Sequence, residues 1–193
     1  MAKLSLPCDE ATIRALRVGE KVLLTGRLIT GRDAAHHWLA GGFRAEVAPY
    51  LEGSIIYHCG PVVRKNPDGS YAFVAAGPTT SAREETYQAE VIGRYQVRGV
   101  IGKGGMFEKT RQGLIEHGAV YLHAVGGTAQ SLARTVVRVE RVFQLAEFGV
   151  PEAMWVIEVK DFPTVVTMDA QGGSLHESIA AESKAVLARL LGR

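Results

Sequence analysis

The run Ala75-Ala76-Gly77-Pro78-Thr79-Thr80-Ser81-Ala82-Arg83 limits the possible folds more than any other part of the chain. An apolar stretch stops there at Gly-Pro, and hydroxyls and a guanidinium follow at once. Residues 71–76 are predicted to form a strand and residues 81–95 a helix. The turn from strand to helix then offers free backbone N–H groups, three hydroxyls and a positive charge, a setting suited to a carboxylate or a phosphate.

The same punctuation recurs along the chain. Residues 20–30 have strand composition, and Gly31-Arg32-Asp33 opens a helix predicted to run through Ala40. Residues 54–59 read as a buried strand ending at Gly60-Pro61, and Asn66-Pro67-Asp68-Gly69 is a strong turn signal. A short strand over 97–101 leads through Gly102-Lys103-Gly104-Gly105-Met106 into a helix over 107–117, and residues 119–124 form the next strand. Residues 71–124 thus read as β-α-β-α-β, the signature of an α/β domain. Beyond them, Gly126-Gly127-Thr128 opens a short helix and residues 135–145 alternate like a strand. Strands over 153–159 and 164–169 are expected on either side of an interruption at Asp161-Phe162-Pro163. A helix from about 174 to 191 closes the chain, with Leu175, Ile179, Val186, Leu187 and Leu190 on one stripe.

A chain of 193 residues without an internal repeat or a low-complexity linker is expected to form one domain over 1–193. A net charge of +2 is too small for a nucleic-acid platform, so no nucleic-acid partner is expected. The first residues lack the apolar core of a signal peptide, and no stretch approaches the roughly 18 apolar residues of a membrane span, which places the protein in the cytoplasm. Cys8 and Cys59 form no Cys-x-x-Cys pair, which argues against zinc or a disulfide framework. An iron-sulfur cluster takes three or four thiolates, so this chain alone cannot hold one.

Arg32, Arg83 and Lys103 each stand beside a glycine-containing junction at the start of a predicted helix. Helix N-termini already favour anions, and a cation in the first turn costs about 0.3–1 kcal/mol when exposed, so folding does not call for these charges. Converging on one pocket, they would clamp a dicarboxylate, each arginine taking a carboxylate in bidentate geometry. The alternative is three separate solvated charges. The spacing of Gly102-Lys103-Gly104-Gly105 is not that of a phosphate loop, and no G-x-G-x-x-G fingerprint occurs, so no nucleotide is expected. Histidines 36, 37, 58, 117, 123 and 176 show no metal-binding spacing, and no metal ligands are assigned. His36 lies one turn after Arg32 on the same helical face and is expected to reach the same pocket, while Asp33 caps the helix or holds the arginine. Thr80 reads as the turn or N-cap hydroxyl, which leaves Thr79 to face a ligand. A threonine has little basicity, so proton transfer at Thr79 needs a carboxylate from elsewhere.

Gly31-Arg32-Asp33-Ala34-Ala35-His36, Gly60-Pro61, Ala76-Gly77-Pro78-Thr79-Thr80-Ser81-x-Arg83, Ile101-Gly102-Lys103-Gly104-Gly105-Met106 and Ile157-Glu158-Val159-x-Asp161-Phe162-Pro163 occur in that order. Together they resemble the iron-sulfur hydro-lyase family of class I fumarases and L-tartrate dehydratases, over roughly residues 10–180 and on the side of the β subunit. The resemblance implies a swivelling β/β/α three-layer domain, a mixed sheet with flanking helices. It also implies a separate α subunit that carries a 4Fe-4S cluster, with two copies of each subunit and an active site at their junction. Carried over by motif, Arg32, Arg83, Lys103, Thr80 and His36 would bind a small dicarboxylate and Thr79 would assist at its carbon-bound proton. The substrate would be fumarate and malate, or tartrate giving oxaloacetate. The rival readings are a carboxylate-binding or assembly module that kept the fold without catalysis, and a phosphate-ester enzyme. Two positions depart from the family pattern. Ala82 stands where glycine is common and requires a negative φ; Glu84 stands where methionine is common and is expected to pair with a pocket cation or weaken anion binding.

Overall fold

A computed structural model describes residues 1–192. In chain order its strands are β1 (Ala2–Leu6), β2 (Lys21–Thr30), β3 (Ile55–Tyr57), β4 (Val62–Lys65), β5 (Tyr71–Ala75), β6 (Gly99–Gly102), β7 (Val120–His123), β8 (Val136–Phe143) and β9 (Met154–Met168). The helices are α1 (Glu10–Arg14), α2 (Asp33–Ala40), α3 (Ala48–Leu51), α4 (Gln88–Tyr95), α5 (Glu108–His117), α6 (Ala129–Ala133), α7 (Leu145–Phe148) and α8 (Leu175–Leu190), with a 3-10 turn over Ser81–Glu84.

Strands β1, β2, β3, β6 and β7 run parallel in that order. β9 pairs antiparallel with β7, with β8 and, at the other side of the ribbon, with β2. Its 15 residues, about 50 Å at 3.3 Å per residue, are long enough to serve all three. Pairing with both ends of the β2-β3-β6-β7 ribbon closes the sheet on itself. Strand side chains alternate between two faces, and the two faces here feed two cores. Val22, Leu24, Leu28, Tyr57, Leu122, Trp155 and Phe162 fill the space between the β layers. Ile29, Ile56, Val100, Tyr121 and Val156 face Leu39 of α2, Val91 and Ile92 of α4 and Leu114 of α5. The result is the expected three-layer β/β/α arrangement.

Several elements differ from the sequence expectation. Residues 71–76 do not open the parallel unit: β5 pairs only with β4 in a separate two-stranded sheet, and the β-α-β-α-β run begins at β3. A hairpin and a central strand carry the same local apolar signal, and only the pairing partner separates them. The helix expected over 81–95 is split into the 3-10 turn and α4. The two strands expected around Asp161-Phe162-Pro163 are one strand with a bulge. Between the Leu24–Phe162 and Gly26–Val159 pairs, Thr25 alone opposes two residues, and Asp161 takes φ 53° while its N–H donates to Thr25 Oγ1 (3.1 Å). β1 and α1 were not anticipated.

α8 begins as expected, Ser174 Oγ capping the Glu177 N–H (3.3 Å), but Ile179, Val186, Leu187 and Leu190 on its stripe are exposed. No helix among the described residues is long and apolar enough to cross a membrane.

Phe162 is wholly buried and meets Tyr57 edge-on at 5.2 Å between ring centroids, directly beside the bulge. Phe162→Ala should destabilise the fold by about 3–5 kcal/mol in equilibrium denaturant unfolding. A loss within about 1 kcal/mol would mean that the inter-sheet core does not depend on this ring.

Candidate active site

Adjacent parallel strands β3 and β6 separate after His58, and the segment 78–81 fills the gap. The Thr79 N–H donates to the His58 carbonyl (2.7 Å), the Lys103 N–H donates to the Thr79 carbonyl (3.2 Å), and the Ser81 N–H donates to the Lys103 carbonyl (3.1 Å). Bridges Cys59–Pro78 and Thr80–Lys103 extend the same pairing. The Gly-Pro-Thr-Thr-Ser segment is therefore a short added strand between two strand ends. Arg32 follows β2, Gly60 follows β3 and Lys103 follows β6, so all three junctions lie at the carboxyl edge of neighbouring parallel strands. That edge is where open α/β sheets bind ligands. Neighbouring strands are about 4.8 Å apart, which puts the ends of β2, β3 and β6 within about 10 Å before the added segment is counted.

Each predicted site residue has a definite place. Arg32 is the N-cap residue of α2, and its guanidinium pairs with Glu152 (Nη2 to Oε1, 3.2 Å). Glu152 Oε2 also accepts from the Ala34 N–H (3.2 Å), so this carboxylate supplies the cap that Asp33 was expected to provide. The Arg32 side chain crosses Gly60 so closely that a Cβ there would lie 2.5 Å from Nη1 and 3.1 Å from Cδ. Arg83, in the 3-10 turn, and Lys103 are exposed, as is Thr80, while Thr79 is half-buried. Thr80 makes no capping bond, contrary to expectation. Ala82 does not have a positive φ, so alanine fits there without strain. A cavity of about 240 Å³ lies at another place, among His123, Leu132, Pro163 and Val165, and none of these three cations lines it.

Beneath the edge runs a buried polar cluster that the sequence did not disclose. His58 Nδ1 is 2.8 Å from Ser81 Oγ, its Nε2 is 2.8 Å from Gln88 Oε1, and Ser81 Oγ is 2.9 Å from the Tyr121 hydroxyl. His36 is wholly buried in the same cluster, edge-on to His58 at 5.0 Å, with Nδ1 on the Arg32 carbonyl (2.9 Å). It supports the Arg32 turn from below and has no surface from which to touch an anion in this conformation. Burial lowers the pKa of His36 and, further, that of His58, keeping both rings neutral. A side chain at Gly102 would overlap the Ser81 hydroxyl and come within 3.2 Å of His58 Nδ1. This close approach, rather than a phosphate loop, accounts for the first glycine of the Gly-Lys-Gly-Gly run.

Glu84 neither pairs with a pocket cation nor reaches the surface. It is wholly buried, and neither carboxyl oxygen has a hydrogen-bond partner. Burial first, and the nearby Asp33 carboxyl second, push it up to about 8.

Residues 2–179 match the family described as Fumarase C-terminus. The chain belongs to that family. It is 52% identical over 181 residues to a protein of Geobacillus stearothermophilus provisionally named fumarate hydratase class I, an alignment covering 93% of this chain but 34% of the relative. It is 40% identical over 183 residues to a protein of Methanocaldococcus jannaschii provisionally named L(+)-tartrate dehydratase subunit beta, covering 93% of each. It is 38% identical over 187 residues to the L(+)-tartrate dehydratase subunit beta of Escherichia coli K12, covering 96% of this chain and 89% of that one. The chain thus spans about a third of the Geobacillus relative and nearly all of each beta subunit.

In this member of the Fumarase C-terminus family an iron-sulfur cluster would need thiolate ligands, and only Cys8 and Cys59 are present. Burial raises the Cys8 thiol to about 11 and the Cys59 thiol to about 12, which disfavours the thiolates that a cluster requires. Among the described residues no group of three or more His, Cys, Asp or Glu side chains is placed to hold a metal ion. The residues of this chain do not fit a 4Fe-4S cluster.

Two outcomes follow from this packing. Gly102→Ala should lower stability by about 1–3 kcal/mol, because Ser81 is pinned and cannot yield; an unchanged melting temperature would show that Ser81 has room to move. A Glu84 carboxyl that keeps its proton up to about 8 when folded, but loses it near 4.5 when unfolded, withdraws stability as pH rises between those values. Glu84→Gln should therefore gain on the wild type steadily from pH 4.5 to pH 8 and level off above, read from unfolding midpoints across pH. A pH-independent difference would show that Glu84 is ionised in the folded protein.

Proposed function

We propose that this chain is the β subunit of a two-subunit hydro-lyase that adds water to, or removes it from, a small dicarboxylate. The substrate is fumarate and malate, or tartrate giving oxaloacetate. The observation that carries this reading is the added strand 78–81, which brings Thr79, Thr80 and Arg83 to the edge shared by Arg32 and Lys103. Family membership and the beta-subunit relatives favour it further.

In this reading Arg32 and Arg83 hold the substrate carboxylate in bidentate fashion, Lys103 adds a point charge and Thr80 a hydroxyl. Glu152 orients Arg32 and shares its charge, so the bound anion meets a guanidinium already held in place. His36 contributes from beneath, through the Arg32 carbonyl. Thr79 stands at the carbon-bound proton, and its low basicity calls for a carboxylate contributed by the partner. The partner α subunit brings the 4Fe-4S cluster, which supplies Lewis-acid chemistry at the substrate hydroxyl. Two copies of each subunit and a cytoplasmic location belong to the same proposal. The exposed positions of Arg83 and Lys103 at this edge suit half of a divided site.

Co-expression with a cluster-bearing partner should yield hydro-lyase activity that neither chain has alone. Full activity from the isolated chain would refute the divided site, and carboxylate binding by an inactive complex would favour the non-catalytic module. In the complex, Arg83→Ala should remove about 3 kcal/mol of transition-state binding, roughly a hundredfold in kcat/KM, at unchanged melting temperature. Near-normal kinetics would remove Arg83 from the site.

A further inference from the structure

The buried cluster has a direction, and the direction follows from donor and acceptor counting. The Arg32 carbonyl only accepts, so His36 Nδ1 carries its proton and His36 Nε2 is an acceptor. The Gln88 side chain neighbours the His36 ring; its amide nitrogen and His36 Nε2 are both buried and neither makes a hydrogen bond, so turning the amide to put its oxygen toward His36 would set two acceptors against each other. The Gln88 carbonyl oxygen then faces His58 Nε2, which must be the protonated nitrogen. His58 Nδ1 is left to accept from the Ser81 hydroxyl, and Ser81 Oγ accepts from Tyr121. The Gly105 N–H faces the Tyr121 hydroxyl at the far end. One direction thus runs through the hydrogen bonds from Tyr121 through Ser81 and His58 to Gln88, and His36, edge-on to His58, is bonded to the Arg32 carbonyl.

Ser81 in this chain opens the turn that carries Arg83 and bonds through its N–H to the Lys103 carbonyl, while the His58 ring packs on His36, which holds the Arg32 carbonyl. The Gln88 amide cannot pass a proton onward, so the chain orients groups and does not conduct protons. We propose that His58 is a positioning residue for the hydro-lyase site, its single neutral tautomer holding the three cation-bearing turns in mutual register. The proposal rests on the dicarboxylate reading above. Reversing or interrupting the chain at His58 leaves buried polar atoms unpaired on both sides and frees Ser81, two residues from Thr79 and two from Arg83. The titratable groups facing His58 are His36 from α2 and Tyr121 from β7, with Glu84 of the 3-10 turn beyond Tyr121.

Two measurements test the assignment. Nitrogen NMR on the isolated chain labelled at histidine should show His58 as the neutral Nε2–H tautomer from about pH 5.5 to about pH 8. An Nδ1–H tautomer or a protonated ring in that interval overturns the chain's direction. In the assembled complex, His58→Asn keeps an acceptor near the Nδ1 position, whereas His58→Gln reaches Gln88 and offers none to Ser81. Melting temperatures should fall alike, while kcat should stay within about tenfold for His58→Asn and drop about a hundredfold for His58→Gln, the scale of an ångström-sized misplacement. Equal kcat losses in an otherwise active complex overturn the role of His58 alone. A wild-type complex without lyase activity overturns the hydro-lyase reading and, with it, this role.

Discussion

The arrangement of the cation-bearing edge depends on one constraint, the filling of the gap between β3 and β6 by residues 78–81. Parallel strands bond continuously to their neighbours unless something replaces the lost ladder partners, and a buried backbone group left unpaired costs about 1–3 kcal/mol. Thr79 and Ser81 take up the His58 and Lys103 groups that the splayed strands give up. These three bonds bridge the gap, and three turns from distant parts of the chain come to one edge.

The backbone insertion is reinforced from beneath by side chains. Ser81 is both a member of the added strand and a link in the buried cluster, which ties its position to His58 and Tyr121. Gly102 is the steric counterpart, since any side chain there would occupy the Ser81 hydroxyl's place. Glu152 performs the same service for Arg32 from the loop before β9. Tyr121, Ser81 and His58 are satisfied by one another and by the Gln88 carbonyl oxygen. Such networks specify a single arrangement when complete and are costly when broken.

The closed sheet provides the rigid frame for this edge. β9 pairs with β2 and β7 along one continuous strand, so the carboxyl ends of β2, β3, β6 and β7 are held by a ring of ladders. The bulge at Asp161 bends that long strand and seats Phe162 in the inter-sheet core. The exposed apolar stripe of α8 lies outside this frame.

Arg32, Thr79, Thr80, Arg83 and Lys103 could be singled out from the sequence because each sits at a strand-to-helix junction, and Gly-Pro, glycine pairs and capping hydroxyls mark such junctions locally. The α/β class was legible from the alternation of apolar runs and turn signals, and the three-layer arrangement only from the family resemblance that the motif order carries. Glu152 was not, because its partner lies 120 positions earlier and neither residue's neighbours announce the pair. His58, Gln88 and Tyr121 read as ordinary strand and helix residues, since burial and hydrogen-bond partners are properties of the folded arrangement. Glu84 was expected to pair with a pocket cation or weaken anion binding and is instead an enclosed carboxyl without a partner. Local sequence by itself determined which turns carry charge, because backbone propensities act over a few residues. Only the tertiary structure decided that β5 belongs to a hairpin, that β9 is unbroken and that one buried polar cluster lies beneath the three turns, because pairing and burial depend on what distant segments bring to the same place.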